Sequence, residues 1–294
     1  MDILKLRKEQ CIFTMDSNNE PIGKIKSGEK VIFETCDCFS DTVKTEEDTV
    51  STIDFNRINP ATGPLYIEGA EIGDVLKVFV EKIEIADQGA IMTAAGLGVL
   101  GAEISEEETI IARVVGDHLE FRGLKIPLRK MIGVIGTAPF GEGISTGTPH
   151  DHGGNMDCTQ IKEGNILYLP VNTEGGLLSM GDLHAAMGDG EVCGAGIEIS
   201  GEVTVRVEVV KDFPYPTPLI ESGDYWMTLG SRKTMEEASR VAVKNMSKII
   251  MNQRKCDLNE AHMLMSVLGN LRVCQVVDPN MTMGMEFPKK YLKG

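Results

Sequence analysis

Val75-Leu76-Lys77-Val78-Phe79-Val80-Glu81-Lys82-Ile83-Glu84-Ile85 is the stretch that decides the fold. β-Branched and aromatic residues dominate it, and Lys77, Glu81 and Glu84 fall between apolar positions. That pattern fits a pleated strand with one wetter face, and gives no apolar stripe at helical spacing. Residues 31–35, 110–115, 166–171 and 203–210 read the same way. Glycine turns separate these runs, at Glu68-Gly69, Gly73-Asp74, Gly116-Asp117 and Gly175-Gly176. No strong amphipathic helix interrupts them before about residue 211. The body is therefore expected to be mainly β, a sandwich or distorted barrel rather than a series of βα units.

The pattern changes after Lys211. Pro214, Pro216 and Pro218 suit an extended connector. Thr234 followed by Glu237 is a capping-box pattern, and Ala238, Val241, Ala242, Met246, Ile249 and Ile250 recur at helical spacing. A second helix is expected over 259–268 and a strand over 271–277. The expected organisation is a β-rich catalytic body, residues 1–213, with a smaller α+β lobe, residues 214–294, packed on it.

Charge follows the same division. The chain of 294 residues carries 44 acidic and 29 basic groups, a net −15. Residues 232–294 hold 11 Lys and Arg against 6 Asp and Glu, or +5, which leaves −20 for residues 1–231. Such a body repels phosphate backbones and anionic lipid, so neither nucleic acid nor a membrane surface is an expected partner. The sequence has no apolar run long enough for a transmembrane helix, and its first ten residues lack the features of a signal peptide. The seven cysteines are odd in number and scattered, as in a reduced, cytoplasmic protein.

Chemistry concentrates in residues 150–198, which hold three of the five histidines. Eight acids and the single cation Lys162 give this segment −7. Such crowding is costly unless solvent, protons or a cation relieve it. In Gly181-Asp182-Leu183-His184 an extended backbone puts Asp182 and His184 on one face, a natural pair of metal ligands. Gly188-Asp189-Gly190-Glu191 and Gly153-Gly154-Asn155-Met156-Asp157 are flexible turns, each delivering acids. Asp37, between Cys36 and Cys38, is either a buried functional acid or a solvent-facing one. Glu68 is read either as turn polarity or as a functional acid. Cys158 and Cys193 flank an acidic region, the reverse of what activates a thiol.

Several stretches resemble the acetamidase/formamidase family. They are Gly63-Pro64-Leu65-Tyr66-Ile67-Glu68-Gly69-Ala70-Glu71-Ile72-Gly73-Asp74, Ile135-Gly136-Thr137-Ala138-Pro139 with Gly153 to Asp157, and Leu169-Pro170-Val171. The longest runs from Leu178 through Gly181-Asp182-Leu183-His184 to Glu191. Glu34-Thr35-Cys36-Asp37 and Asn270 to Asp278 are similar to the family's terminal motifs. Ile72 stands where the family often has Pro, and residues 40–43 lack the glycines and Gln that often follow the N-terminal Asp.

The resemblance implies a β-rich, metal-binding hydrolase of small carboxamides, forming carboxylic acid and ammonia, and a homodimer or higher homo-oligomer. Hydrolysis of cyclic amides (lactams or imides) is the alternative within the family. A non-catalytic metal or ligand-binding protein and a cysteine-dependent amidase are the rival readings. The expected metal ligands are Asp157, Asp182 and His184, with zinc favoured over calcium. Glu68, Glu191 and Asp37 are the candidate catalytic acids, and Gly153, Gly154 and Asn155 the candidate oxyanion site.

Overall fold

The structure, a computed structural model, describes residues 3–292. The strands that carry the argument are, in chain order, β1 (Lys30–Thr35), β2 (Ala61–Glu68), β3 (Val75–Ile85), β4 (Gln88–Thr93) and β5 (Met131–Gly136). There follow β6 (Gly153–Asn155), β7 (Ile166–Pro170), β8 (Leu178–His184), β9 (Glu198–Ile199), β10 (Gly201–Val210) and β11 (Tyr225–Arg232). Helices α1 (Met235–Arg254) and α2 (Leu258–Leu268) precede β12 (Asn270–Gln275) and β13 (Met281–Pro288).

These strands belong to two large sheets. A nine-stranded sheet contains β1, β10, β3 and β7 in that order, then Leu219–Glu221, β11, β13 and β12. An eleven-stranded sheet runs through β4, β9, β8, β5 and β6, with β2 also paired to β8. Pairing is antiparallel apart from Leu4–Leu6 on β1, Gly23–Lys26 on β2 and a single parallel bridge between Gly190 and Gln275, among the described residues. Phe33, Val78 and Val203 of the first sheet share one buried core with Leu65, Ile132, Leu183 and Ile199 of the second. The mainly β sandwich expected from the alternation is what forms. The strand-forming run at 75–85 pairs with β10 on one side and β7 on the other, so it is central.

Thr234 caps α1 by accepting a hydrogen bond from the Glu237 backbone N–H at 3.2 Å, as the sequence pattern predicts. Ala242, Met246, Ile249 and Ile250 of α1 pack on Leu219, Met285 and Phe287, burying the helix stripe against the first sheet. Helix α2 starts at Leu258, capped by Asp257. Strands β11 and β13 were not evident in the sequence. They pair with each other over eight positions, and Leu219–Glu221 joins them to β7, so the sheet continues into the C-terminal segment. Their residues are buried on both faces, which removes the period-two alternation that marks a strand. No helix of the described residues is long and apolar enough to cross a membrane.

Candidate active site

Strand β8 lies between β5 and β9 in the second sheet and is buried along its whole length. His184 at its end stands directly across from Glu198 of β9. On the other side, Ile132 pairs with Leu183 and Val134 with Gly181, which leaves Gly133 opposite Asp182. Strand β6 pairs with β5 and delivers Asp157 just beyond Asn155, the Asp157 N–H reaching Gly133 O at 3.4 Å. The 188–194 loop supplies Glu191. It is held by Gly190 N–H to Cys274 O and Val276 N–H to Gly190 O, at 2.8 and 3.3 Å. The same C-terminal segment brings Asp278, whose Oδ2 accepts from Asn155 Nδ2 at 2.9 Å.

The result is one buried cluster around His184 Nε2. Glu198 Oε1 lies 3.2 Å from that nitrogen, Asp182 Oδ1 3.5 Å, and Asp157 Oδ1 and Glu191 Oε1 each 3.9 Å. Asp157 is 0% exposed, His184 1%, Asp182 2% and Glu198 2%, so water does not screen them. Yet both oxygens of Asp157, Asp182 Oδ1, Glu198 Oε2 and His184 Nε2 lack any hydrogen-bond partner. Buried polar atoms are rarely left so, and their convergence makes this a candidate cation site. His184 Nδ1 faces Met187 Sδ at 3.2 Å. Thioether sulfur only accepts, so an Nδ1 proton faces it, and Nε2 is the nitrogen left to ligate a metal. The donor atoms of Asp157, His184 and Glu191 lie within 4.8 Å of one another, a set that fits a divalent ion.

Backbone strain marks the same residues. Asp157, Asp182 and Glu191 have φ of 41°, 56° and 48°, left-handed values that cost energy in a residue with a side chain. Gly133 makes the room. A Cβ there would stand 2.5 Å from Asp182 Oδ2, and closer still to Asp157 Oδ1.

Burial and the Asp182 charge push Asp157 up to about 7. Burial, with Asp182 again adding to it against the opposing His184, raises Glu198 to about 8. Burial raises Glu191 well above the carboxylate range, helped by Asp157, and does the same for Asp278. Burial alone would depress His184, but the Glu198 and Asp182 charges hold it well above its ordinary value. Without a cation the cluster thus stores protons. A carboxyl whose folded pKa is raised stabilises the fold below its unfolded pKa, and that contribution is lost as pH rises through the folded value. For Asp157 this loss runs from the ordinary carboxylate range up to about 7, and for Glu198 up to about 8. A chelated sample is therefore expected to lose thermal stability from about pH 5 to about pH 8, and a metal-loaded sample is expected not to show that loss. Thermal unfolding across that range decides it, and equal pH dependence of the two samples would contradict the cation site.

The other sequence candidates lie apart from this cluster or at its edge. Glu68 is 42% exposed in its side chain, at the end of β2, and pairs with Lys24 at 3.6 Å. Asp37 is buried one residue from Cys38, but its Oδ1 accepts from the backbone N–H of Phe39 and Asp41 at 3.0 and 2.8 Å. It holds a tight turn and lines a different cavity, beside Lys44 and Asp87. The Gly153 N–H is taken by His150 O at 3.1 Å, and Gly153 and Gly154 serve close packing against Gly136 and Thr148. Asn155 alone of that trio lines the cavity over the cluster. Glu198, Asp278 and Cys38 join the site without having been singled out from the sequence. The signal for Glu198 was its place in the same acidic segment, 14 residues after His184.

The cavity holds about 250 Å³ and is floored by Asn155, Asp182, Glu191, Glu198 and Asp278. Its outer wall is apolar, with Phe39, Ile53, Phe55, Met92 and Leu97. Polar groups converging in an otherwise apolar cleft are the usual form of a small-molecule site.

The sequence profile of the Acetamidase/Formamidase family matches residues 15–142 and 140–293. A crystal structure of acetamidase from Bacillus halodurans is similar, with 46% identity, a TM-score of 0.96, and 98% of each chain covered. That of a predicted acetamidase/formamidase from Thermoanaerobacter tengcongensis has 40% identity and a TM-score of 0.95, covering 99% of this chain and 98% of that one. A formamidase of Methylophilus methylotrophus is 48% identical over 73 residues, 24% of this chain and 18% of that protein. The chain spans 61% or less of the length of the curated relatives it matches.

Proposed function

The chain belongs to the acetamidase/formamidase family, and from that premise we propose that it hydrolyses small linear carboxamides to a carboxylic acid and ammonia with a divalent metal. The observation that carries this is the buried cluster in which Asp157, Asp182, His184 and Glu198 have unpartnered polar atoms, and of which Asp182, Glu198 and the neighbouring Glu191 line a cavity. Asp157, His184 and Glu191 hold the metal, with Asp182 alongside. Zinc is favoured over calcium because an imidazole stands among the donors.

When bound, the metal supplies Lewis-acid polarisation of the carbonyl and makes water a better nucleophile at neutral pH. The protein does the rest. The apolar wall receives the acyl substituent and keeps bulk water out. Asn155 has a second amide N–H beyond the one given to Asp278, and offers it to the substrate carbonyl oxygen as charge builds there. Asp278 takes a proton from the attacking water and passes it to the amide nitrogen. The C–O bond forms, the C–N bond breaks, and ammonia leaves.

An amide panel tests the reading: formamide, acetamide, propionamide, a lactam and a cyclic imide, each followed by product release from the wild type and from Cys158→Ser and Cys193→Ser. Release from the linear amides that survives both substitutions supports it. Turnover confined to lactams or imides would replace the substrate class, and loss in either serine variant would restore the cysteine mechanism.

A further inference from the structure

The metal trio of Asp157, His184 and Glu191 leaves much of the cluster unaccounted for. Asp182 Oδ1 and Glu198 Oε2 remain buried without partners, although both residues are 2% exposed. Beside them lies Cys38, which lines the same cavity and is 8% exposed. Its donor atom and those of Asp182 and Glu198 fall within 4.8 Å of one another, a second set independent of the first. The placement of Cys38 is built rather than incidental. The turn held by Asp37 fixes one side, and Asn59 N–H donates to Cys38 O at 2.8 Å on the other.

Charge counting points the same way. Five carboxylates, Asp157, Asp182, Glu191, Glu198 and Asp278, face the cluster, and among the described residues no Lys or Arg pairs with any of them. Ionised together with the Cys38 thiolate they carry six negative charges, of which one dication would leave four uncompensated in a site that water does not screen and two would leave two. A carboxylate has two oxygens, so Asp182, beside His184 and also within the Cys38 set, is placed to serve both ions. Paired ions sharing a carboxylate are a common device of hydrolytic sites.

We propose that this centre is dinuclear, its second divalent cation held by Cys38 Sγ, Asp182 and Glu198. This rests on the reading that Asp157, His184 and Glu191 hold the first. A thiolate donor selects a borderline-soft ion such as zinc, cobalt or iron, and excludes calcium from this position.

The test uses the full chain, stripped by chelation and reloaded with cobalt(II), an ion whose bond to thiolate gives a near-ultraviolet charge-transfer band. Two cobalt ions per chain by elemental analysis, with that band present, are expected. Cys38→Ser should lose the band and bind one ion fewer, and Glu198→Gln, which keeps the thiol, should also fall to about one. One ion per chain and no thiolate band in the unaltered protein would overturn the second site while leaving the first. No retained ion would overturn both. A band that persists at full strength in Cys38→Ser would assign the thiolate elsewhere and overturn the proposal.

Discussion

Alanine at His184 is expected to release the metal and lower amide hydrolysis by on the order of 10²–10⁴-fold, the range lost with a single catalytic group. His184 Nε2 is the one nitrogen donor among four carboxylates within 3.9 Å. Its Nδ1 is fixed on Met187 Sδ, so no other rotation of the ring replaces it. Removing the imidazole leaves the acids to repel one another with a weaker hold on any cation. Elemental analysis and ammonia release on the purified variant check this together. Full metal content at full activity would remove the basis of the site.

Gly133→Ala is the second large effect, and it touches neither substrate nor metal directly. The added Cβ would meet Asp182 Oδ2 at 2.5 Å and press harder on Asp157 Oδ1. Both carboxylates are buried and hang from strained backbone, so they have little room to retreat. Overpacking of this kind costs about 1–3 kcal/mol of stability. The larger expected loss is in metal affinity, on the order of 10–100-fold, as when support for a ligand is disturbed. Gly188→Ala is the control, because a Cβ there meets nothing within 4 Å. A metal titration followed by calorimetry separates the two variants, and equal affinities would show that Gly133 does not shape the site.

The fold was legible where the strands kept a wet face. The run at 75–85 declares itself, and so does the Thr234 cap with its helix stripe. Strands β11 and β13 hide because both faces are covered, one by α1, and their buried Met, Thr and Gly residues carry no period. The site was half legible for a related reason. Asp182 and His184 are two apart on one strand, and Asp157 and Glu191 follow glycine turns, so local spacing exposes them. Glu198 meets His184 only through the β8–β9 pairing, and Asp278 arrives through the loop contacts of Gly190. Cys38 comes from the opposite end of the chain. Those are long-range pairings, which residue spacing does not encode. The acidic excess in 150–198 had a physical meaning that spacing did supply, since much of it converges on one buried point.

The central claim is that amide hydrolysis by this chain runs on a metal held at His184. Stripping the purified protein with a chelator, confirming the loss by elemental analysis, and titrating zinc back while following ammonia release tests it most directly. The account predicts that hydrolysis disappears with the metal and returns in proportion to the zinc restored, up to the wild-type rate. Full ammonia release from a sample shown to be free of metal would contradict it.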